Sequence, residues 1–441
     1  MILDAKRYEK EIRAGCQPVY RGRVDIVSGV MIEAAGIPAA MGELCRIERG
    51  RLGPIHAEVV GFRGASTLLM PHGDIAGIAP MQQVTALGRP FTAPVGNELL
   101  GRTLDAFGKP LDGGPDFTHC DERPVRRDAP DPLDRPMIDE VLQTGVRVID
   151  GLATIGRGQR LGIFAGSGVG KSTLLGQITR GTDADVVVVA LVGERGREVG
   201  QFVHEVLGPE GSKKSVLVVA TSDRAPIERY LAPFVAVTIA EHFRDQGLDV
   251  LLVMDSVTRF AAAAREIGLA AGEPPTVRGY PPSFFATVPK LVERMGRTKK
   301  GSITGLLTVL VDGDDPNEPV ADTLRGLLDG HLFLKRELAQ AGHFPAVDVL
   351  GSLSRLMSGL VGPQQKVSAN FVRQCLAAWR EGRDLIEIGA YKPGANPKLD
   401  VAVARMGAIE AFLRQGMGEV STYAETQELM QLLARGADAK A

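Results

Sequence analysis

The chain has few cysteines, almost no net charge and no long apolar run. Its 441 residues include four cysteines without a CxxC pair, so the sequence predicts neither a cysteine metal knuckle nor a disulfide framework. The formal net charge of −2 gives no overall field that would draw the molecule onto nucleic acid or an anionic membrane. No run of about 18 apolar residues occurs, and no signal peptide is recognisable. We therefore expect a cytoplasmic protein whose membrane contacts are peripheral.

The length exceeds the size at which a single core stops growing, so two or three domains are expected. From about residue 19 to 82, short runs of Val, Ile and Leu punctuated by glycines predict a small barrel or sandwich. Residues 86–136 are rich in Gly, Pro and Asp and indicate loops. After about residue 360 an apolar spacing of three and four predicts an amphipathic helix, with Leu399, Val403, Met406, Ile409 and Leu413 on one face.

Between these regions, apolar runs alternate with helix-like segments, which is typical of a mainly parallel sheet covered on both faces. Small or polar residues follow each run, and parallel strands present their carboxyl ends at one edge of the sheet. We therefore expect a ligand crevice at that edge. The five runs are RLGIFA from 160, DVVVVALV from 185, SVLVVATS from 215, DVLLVMDS from 249 and SITGLLTVLVD from 302.

Residues 164–173 read FAGSGVGKST and lie between the first run and the helix-like stretch LLGQIT. A phosphate-binding loop works because backbone N–H groups between a strand and a helix point at the phosphates, helped by the helix dipole. In that arrangement Lys171 reaches the β- and γ-phosphates, and Ser172 ligates magnesium. Three glycines allow the backbone to approach the phosphates closely: Gly166, Gly168 and Gly170.

This stretch departs from the strict phosphate-loop pattern at one position, where Ala165 replaces a glycine. We expect its methyl group to be tolerated provided that the residue belongs to the strand side and has a negative φ. A glycine-rich turn with an exposed lysine is the alternative interpretation. The order of strand, glycines, GKS and helix favours nucleotide binding.

Two acidic residues follow neighbouring apolar runs. Asp255 ends the run DVLLVMD, where an aspartate either holds magnesium, often through water, or caps the following helix. Ser256 follows it, so this strand offers no adjacent carboxylate to polarise an attacking water. Glu194, in GERGREV, is the candidate for that role, with an acidic helix start as the alternative.

Six longer motifs occur along the chain: AGSGVGKS, GERGREV, VMDSVTRF, GYPPSFFATVPKLVERMG, GSITGLLTVLVDGDDPNEPVADTLRGLLDGH and HFPAVDVLGSLSR. Together they resemble the catalytic ATPases of the rotary ATP synthase superfamily, most closely its type III protein export ATPases and their flagellum-specific branch. The resemblance implies a helical segment at residues 1–18, a β-barrel at 19–85, a RecA-like ATPase core at 86–360 and a helical domain at 361–441. It also implies a homohexameric ring with nucleotide sites between subunits.

The resemblance assigns roles to individual residues, with ATP and Mg²⁺ as ligands. It makes Glu194 the water-activating carboxylate, and Ser172 and Asp255 the magnesium-linked residues. Arg355 matches an arginine finger offered to the neighbouring subunit, and Phe344 matches the aromatic residue that stacks on adenine. Neither of these two would be selected from the residues alone. The phosphate loop comprises Gly166, Ser167, Gly168, Val169, Gly170, Lys171, Ser172 and Thr173.

The resemblance implies a MgATP-hydrolysing export ATPase that releases substrates from chaperones and delivers them unfolded. Alternatives are a virulence-type injectisome ATPase, a catalytic subunit of a rotary synthase and a Rho-like RNA translocase. The segment DLIEIGAYKPGANPKLD replaces the acidic lever of rotary synthases, which disfavours the second. The third requires aromatic stacking platforms, whereas residues 1–90 offer only Tyr8, Tyr20 and Phe62.

The family also implies partners. These are a stalk-like negative regulator at the N-terminus, a central stalk protein in the ring, export substrates with their chaperones, and an export gate at the membrane. Ala5, Tyr8 and Ile12 fall on one helical face that would dock the regulator or touch lipid, although a frayed terminus is an equal alternative. We expect no nucleic acid partner and a location at the inner face of the cytoplasmic membrane.

Overall fold

The computed structural model describes residues 19–311 and 318–435. The N-terminal helical face of Ala5, Tyr8 and Ile12 lies outside this part of the chain. Among the described helices, none combines the length and the apolar character that crossing a bilayer requires.

The first six strands form a closed antiparallel barrel in the order β1-β2-β5-β4-β3-β6. The barrel closes because β1 pairs with both β2 and β6. Its interior holds alternate apolar side chains such as Val24, Ile32 and Leu69, so the barrel has a core of its own. The last strand extends beyond residue 85, the boundary expected for this domain. The strands are β1 (Arg21–Ser28), β2 (Met31–Ala35), β3 (Glu43–Ile47), β4 (Ile55–Arg63), β5 (Ser66–Pro71) and β6 (Gln83–Pro90).

The second domain contains a nine-stranded sheet with the path β19-β18-β12-β17-β15-β13-β14-β8, and β16 pairs beside β17. All pairs on this path are parallel except β18 with β19, as the continuous apolar runs predict. The remaining strands form two small ribbons, β7 with β9 and β10 with β11. The strands are β7 (Thr92–Val95), β8 (Thr103–Asp105), β9 (Asp121–Pro124), β10 (Val141–Leu142), β11 (Ile155–Gly156), β12 (Arg160–Ala165), β13 (Val186–Val192), β14 (Ser215–Ala220), β15 (Asp249–Asp255), β16 (Gly296–Arg297), β17 (Ser302–Leu310), β18 (Gly330–Leu334) and β19 (Leu353–Ser354).

Helices cover both faces of this sheet. A π-helical turn at Phe202–Leu207 lies between α3 and α4. Short 3₁₀ turns occur at Gly50–Leu52, Asn97–Leu99, Pro132–Asp134 and Val277–Gly279. The α-helices are α1 (Arg147–Leu152), α2 (Lys171–Gly181), α3 (Gly196–Gln201), α4 (Gly208–Lys213), α5 (Pro226–Asp245), α6 (Val257–Ala270), α7 (Pro282–Glu293), α8 (Pro319–Leu327), α9 (Arg336–Gln340), α10 (Met357–Leu360), α11 (Pro363–Glu387), α12 (Pro397–Leu413) and α13 (Tyr423–Ala434).

Strand β13 shows why apolar and polar residues do not alternate in the apolar runs. Val188 and Ala190 face a core built with α5 and α6, whereas Val189 and Leu191 face a second core. That second core includes Leu175 of α2 and residues of the C-terminal helices. A strand buried on both faces needs apolar residues at every position.

The C-terminal region is helical, as predicted. Helix α12 buries four of the five residues expected on its apolar face, and Val403 is partly exposed. A capping box between Thr422 and Glu425 begins α13. Because Phe412 and Met430 share the core that contains α2, the helical domain packs against the same side of the sheet as the phosphate loop helix.

A buried ion pair joins α5 to the end of α7. The side chains of Arg294 and Glu241 are each 2% exposed, and their charged atoms lie 2.8 Å apart. Arg294 also donates to the Val125 carbonyl at 2.7 Å, which fixes the segment after β9. A buried guanidinium needs such partners because its desolvation is costly.

We predict that Glu241→Ala lowers the free energy of unfolding by about 3–5 kcal/mol, because it leaves the Arg294 charge buried without its partner. Arg383→Ala, which breaks an exposed ion pair with Glu387, is the matched control. It should lower the free energy of unfolding by less than about 1 kcal/mol. Urea unfolding of both variants measures the difference. Equal losses would contradict a structural role for the buried pair.

Candidate nucleotide site

The stretch 164–173 has the backbone that phosphate binding requires. Ala165 is the last residue of β12, where an extended strand accommodates its methyl group. Gly168 and Gly170 have φ of 76° and 90°, a left-handed region that favours glycine. Helix α2 begins at Lys171, so the loop's N–H groups and the positive end of the helix dipole lie together.

The ammonium of Lys171 lies between two carboxylates. Its Nζ is 2.5 Å from Oδ1 of Asp255 and 3.5 Å from Oε1 of Glu194. Thr308 Oγ1 donates to the same Asp255 oxygen at 2.7 Å. The cap of α6 is Ser256, whose hydroxyl accepts from the Arg259 N–H, so the capping alternative for Asp255 is wrong.

Burial and charge set the protonation of this cluster. Burial, followed by the charge of Asp255, raises the pKa of Glu194 to about 7, although Lys171 opposes the shift. Burial alone would lower the pKa of Lys171, but Asp255 and Glu194 outweigh it, and the net pKa is raised. The site therefore holds a charged lysine beside a carboxylate whose pKa suits proton transfer near neutral pH.

A cleft of about 610 Å³ opens beside the cluster, and Ser172, Thr173, Glu194 and Asp255 line it. This volume is in the range of small-ligand sites. The residues fit a magnesium ion, which usually takes one or two protein oxygens and completes its shell with phosphates and water. Ser172 is exposed at the start of α2 and Asp255 is buried, so a hydroxyl and a carboxylate share this cleft.

A second cleft of about 410 Å³ shares Thr173 and Met417 with the first. Phe344 lines it and remains 40% exposed. A Cβ added at Gly170 would lie 3.1 Å from Cε1 of the Phe344 ring, so the ring packs directly on the phosphate loop. An exposed aromatic face beside the loop is suited to stacking on a purine base.

Arg355 lies away from this cluster. Its backbone N–H donates to the Asp329 carbonyl, and Asp329 in turn donates to Arg160 at the amino end of β12. The phosphate loop follows the other end of the strand, five residue steps or about 16 Å away. Within one chain the structure brings together Lys171, Ser172, Glu194, Asp255 and Phe344, but not Arg355.

Sequence reasoning missed a residue that contacts the cluster and residues that line the second cleft. Thr308 lies inside an apolar run, where nothing marks its contact with Asp255. Gln415 and Met417 are more than 240 residues from the phosphate loop in sequence, so local patterns carry no signal for them.

Two family models match the chain. The ATP synthase alpha/beta family, nucleotide-binding domain, matches residues 145–354, and the T3SS EscN ATPase C-terminal domain matches residues 361–432. The Flagellum-specific ATP synthase of Treponema pallidum is 49% identical over 428 residues, which cover 97% of this chain and 96% of the relative. The chain belongs to the ATP synthase alpha/beta family.

Two further proteins show which members of this family the chain resembles. The Type 3 secretion system ATPase of Xanthomonas euvesicatoria is 50% identical over 412 residues, or 93% of each chain. A solved structure of the assembled ATPase EscN in complex with its central stalk EscO, from enteropathogenic E. coli, superposes with a TM-score of 0.86. It is 43% identical and covers 93% of this chain and 99% of that chain.

These similarities confirm that this family member is an ATP hydrolase of the type III export group. The match at residues 361–432 distinguishes it from the catalytic subunits of rotary synthases, as the segment DLIEIGAYKPGANPKLD indicates. The Rho-like alternative is also disfavoured, because the export ATPases align over nearly the whole chain.

Proposed function

We propose that the chain is the ATPase of a flagellar protein export apparatus, acting as a homohexameric ring that hydrolyses MgATP. The observation that carries this proposal is the cluster of Lys171, Glu194 and Asp255 at the phosphate loop. The match of residues 361–432 to an export ATPase domain supports the use of that hydrolysis in export.

Each residue of the cluster has a chemical role in the proposal. The loop N–H groups and Lys171 bind the β- and γ-phosphates, which compete with Asp255 for the Lys171 ammonium. Ser172 and Asp255 would hold Mg²⁺, which supplies charge neutralisation of the phosphates when bound. Phe344 orients the base. Glu194, 18% exposed, orients the attacking water and accepts its proton.

Glu194→Gln should retain ATP binding but lower kcat by about 10²–10⁴-fold, because the amide cannot accept the proton. Steady-state phosphate release and binding of the β,γ-imido analogue of ATP measure the two quantities. Glu266→Gln, on the exposed surface of α6, is the control and should hydrolyse ATP normally. Normal turnover by Glu194→Gln would remove this residue from its role.

The position of Arg355 supports a finger that acts between subunits. Its guanidinium is exposed and donates to the Arg325 carbonyl at 3.1 Å, at the end of the sheet opposite the phosphate loop. Since the side chain lies far from the phosphate loop of its own chain, we infer that a second copy of the chain supplies the finger to each site. The assembled state of EscN is a precedent in a relative.

Arg355→Ala should leave nucleotide binding by the isolated chain unchanged and lower the activity of assembled protein by about 10³-fold or more. A mixture with Glu194→Gln tests the arrangement directly. Mixed rings contain interfaces at which an intact Glu194 meets an intact Arg355 from the neighbouring subunit, so activity should partly return. A mixture as inactive as either variant would contradict an intermolecular finger.

The remaining partners follow from the same proposal. We propose that the ring lies at the inner face of the cytoplasmic membrane and has a central stalk protein in its pore. The relative EscN forms a complex with its central stalk EscO. A stalk-like regulator would bind the N-terminus, and export substrates with their chaperones would pass to the export gate. The flagellar assignment rests on motif resemblance, because relatives named for either system are similarly identical.

Deleting the gene should abolish flagellar filaments in the source organism, because filament proteins must be exported. The wild-type gene should restore filaments, and the Glu194→Gln gene should not. Electron microscopy of the cells provides the measurement. Intact filaments together with loss of an injectisome's secreted proteins would contradict the flagellar assignment.

A further inference from the structure

The segment Gln415–Met417, between α12 and α13, forms one side of the cleft that contains Phe344. We call it the wall segment. Its Gln415 N–H donates to the Phe344 carbonyl at 2.9 Å, so the wall and the aromatic residue are joined. The Gln415 side chain also donates to the Gly145 carbonyl at 2.8 Å and accepts from the Arg147 N–H at 2.8 Å.

Helix α2 holds the wall segment from the opposite side. Gln177 Nε2 donates to the Gly416 carbonyl at 2.8 Å, and the Arg180 guanidinium donates to the Met417 carbonyl at 2.5 Å. These residues are three positions apart and therefore lie on one face of the helix. The side chain of Gln177 is buried, which makes its hydrogen bond costly to lose.

The same helix begins at the phosphate loop. Lys171 and Gln177 are six residues apart, or about 9 Å along the axis of a rigid helix. Arg180 also donates to the Val206 carbonyl in the π-helical turn, which lines the larger cleft. One helix thus fixes the position of the wall segment relative to the phosphate loop.

We propose that Gln177 and Arg180 are positioning residues that set the base subsite of the nucleotide cleft by holding the wall segment. This inference rests on the proposed nucleotide site. Arg180 also lines the larger cleft, but its Nη1 and Nη2 atoms donate to the Val206 and Met417 carbonyls. Losing Gln177 or Arg180 should therefore weaken binding of a ligand that has a base more than binding of one that has only phosphates.

Arg180→Met tests this in the full-length protein, since methionine retains most of the side-chain length but none of the donors. Calorimetry compares the β,γ-imido analogue of ATP with inorganic tripolyphosphate, both with Mg²⁺. We expect the Kd of the analogue to rise about tenfold and the Kd of tripolyphosphate to stay within twofold of wild type. Gln177→Leu should show the same selectivity, and Arg180→Lys should retain most of the affinity for the analogue.

Arg383→Met, on the exposed surface of α11, is the matched control and should change neither affinity. Equal weakening of the binding of both probes, or no weakening in either folded variant, would overturn the inference.

If neither Arg180→Met nor Gln177→Leu folds, the inference is tested with Arg180→Lys and with hydrogen exchange of the wild-type protein. Protection of residues 415–417 by the analogue but not by tripolyphosphate supports the inference, and equal protection overturns it. Wild-type protein that binds neither probe, or tripolyphosphate binding that survives Lys171→Ala, would instead contradict the proposed phosphate site.

Discussion

The candidate nucleotide site depends on the ion pairs that the Lys171 ammonium makes with Asp255 and Glu194. Four adjacent strands of the sheet supply it: Lys171 follows β12, Thr308 lies in β17, Asp255 ends β15 and Glu194 follows β13. The parallel register pairs Ile163 with Thr308 and Leu191 with Asp255, so the contributing positions lie at one edge. Strand pairing keeps these charges close together, where their attraction is strong.

The apolar cores on both faces of the sheet support this cluster. A lysine and two carboxylates placed together in a partly buried site carry a desolvation cost, which the surrounding sheet must offset. Strand β13 meets this need by burying apolar residues on both of its faces. The sheet in turn anchors the glycine-rich loop, in which Gly168 and Gly170 have positive φ.

The site reaches beyond the sheet in two directions. Phe344 and the wall segment join it to the C-terminal helices, so the helical domain takes part in forming the candidate nucleotide cleft. Arg355 lies at the opposite end of the sheet, and its proposed role is in a neighbouring copy's site. A single subunit would then form one complete cleft but an incomplete catalytic centre, which makes assembly a condition of activity.

The sequence by itself determined the classes of structure. Continuous apolar runs predicted the parallel sheet, and the order of strand, glycines and Lys171 predicted the phosphate loop, because local patterns control both. The spacing of Leu399 and Ile409 likewise predicted α12. Family resemblance was needed for Phe344 and Arg355, since an isolated Phe-Pro or Ser-Arg pair has no distinctive chemistry. Only the tertiary structure decided that Thr308 contacts Asp255 and that Gln177 and Arg180 contact the wall segment. Their partners are distant in the chain, and such contacts arise from packing rather than from local sequence.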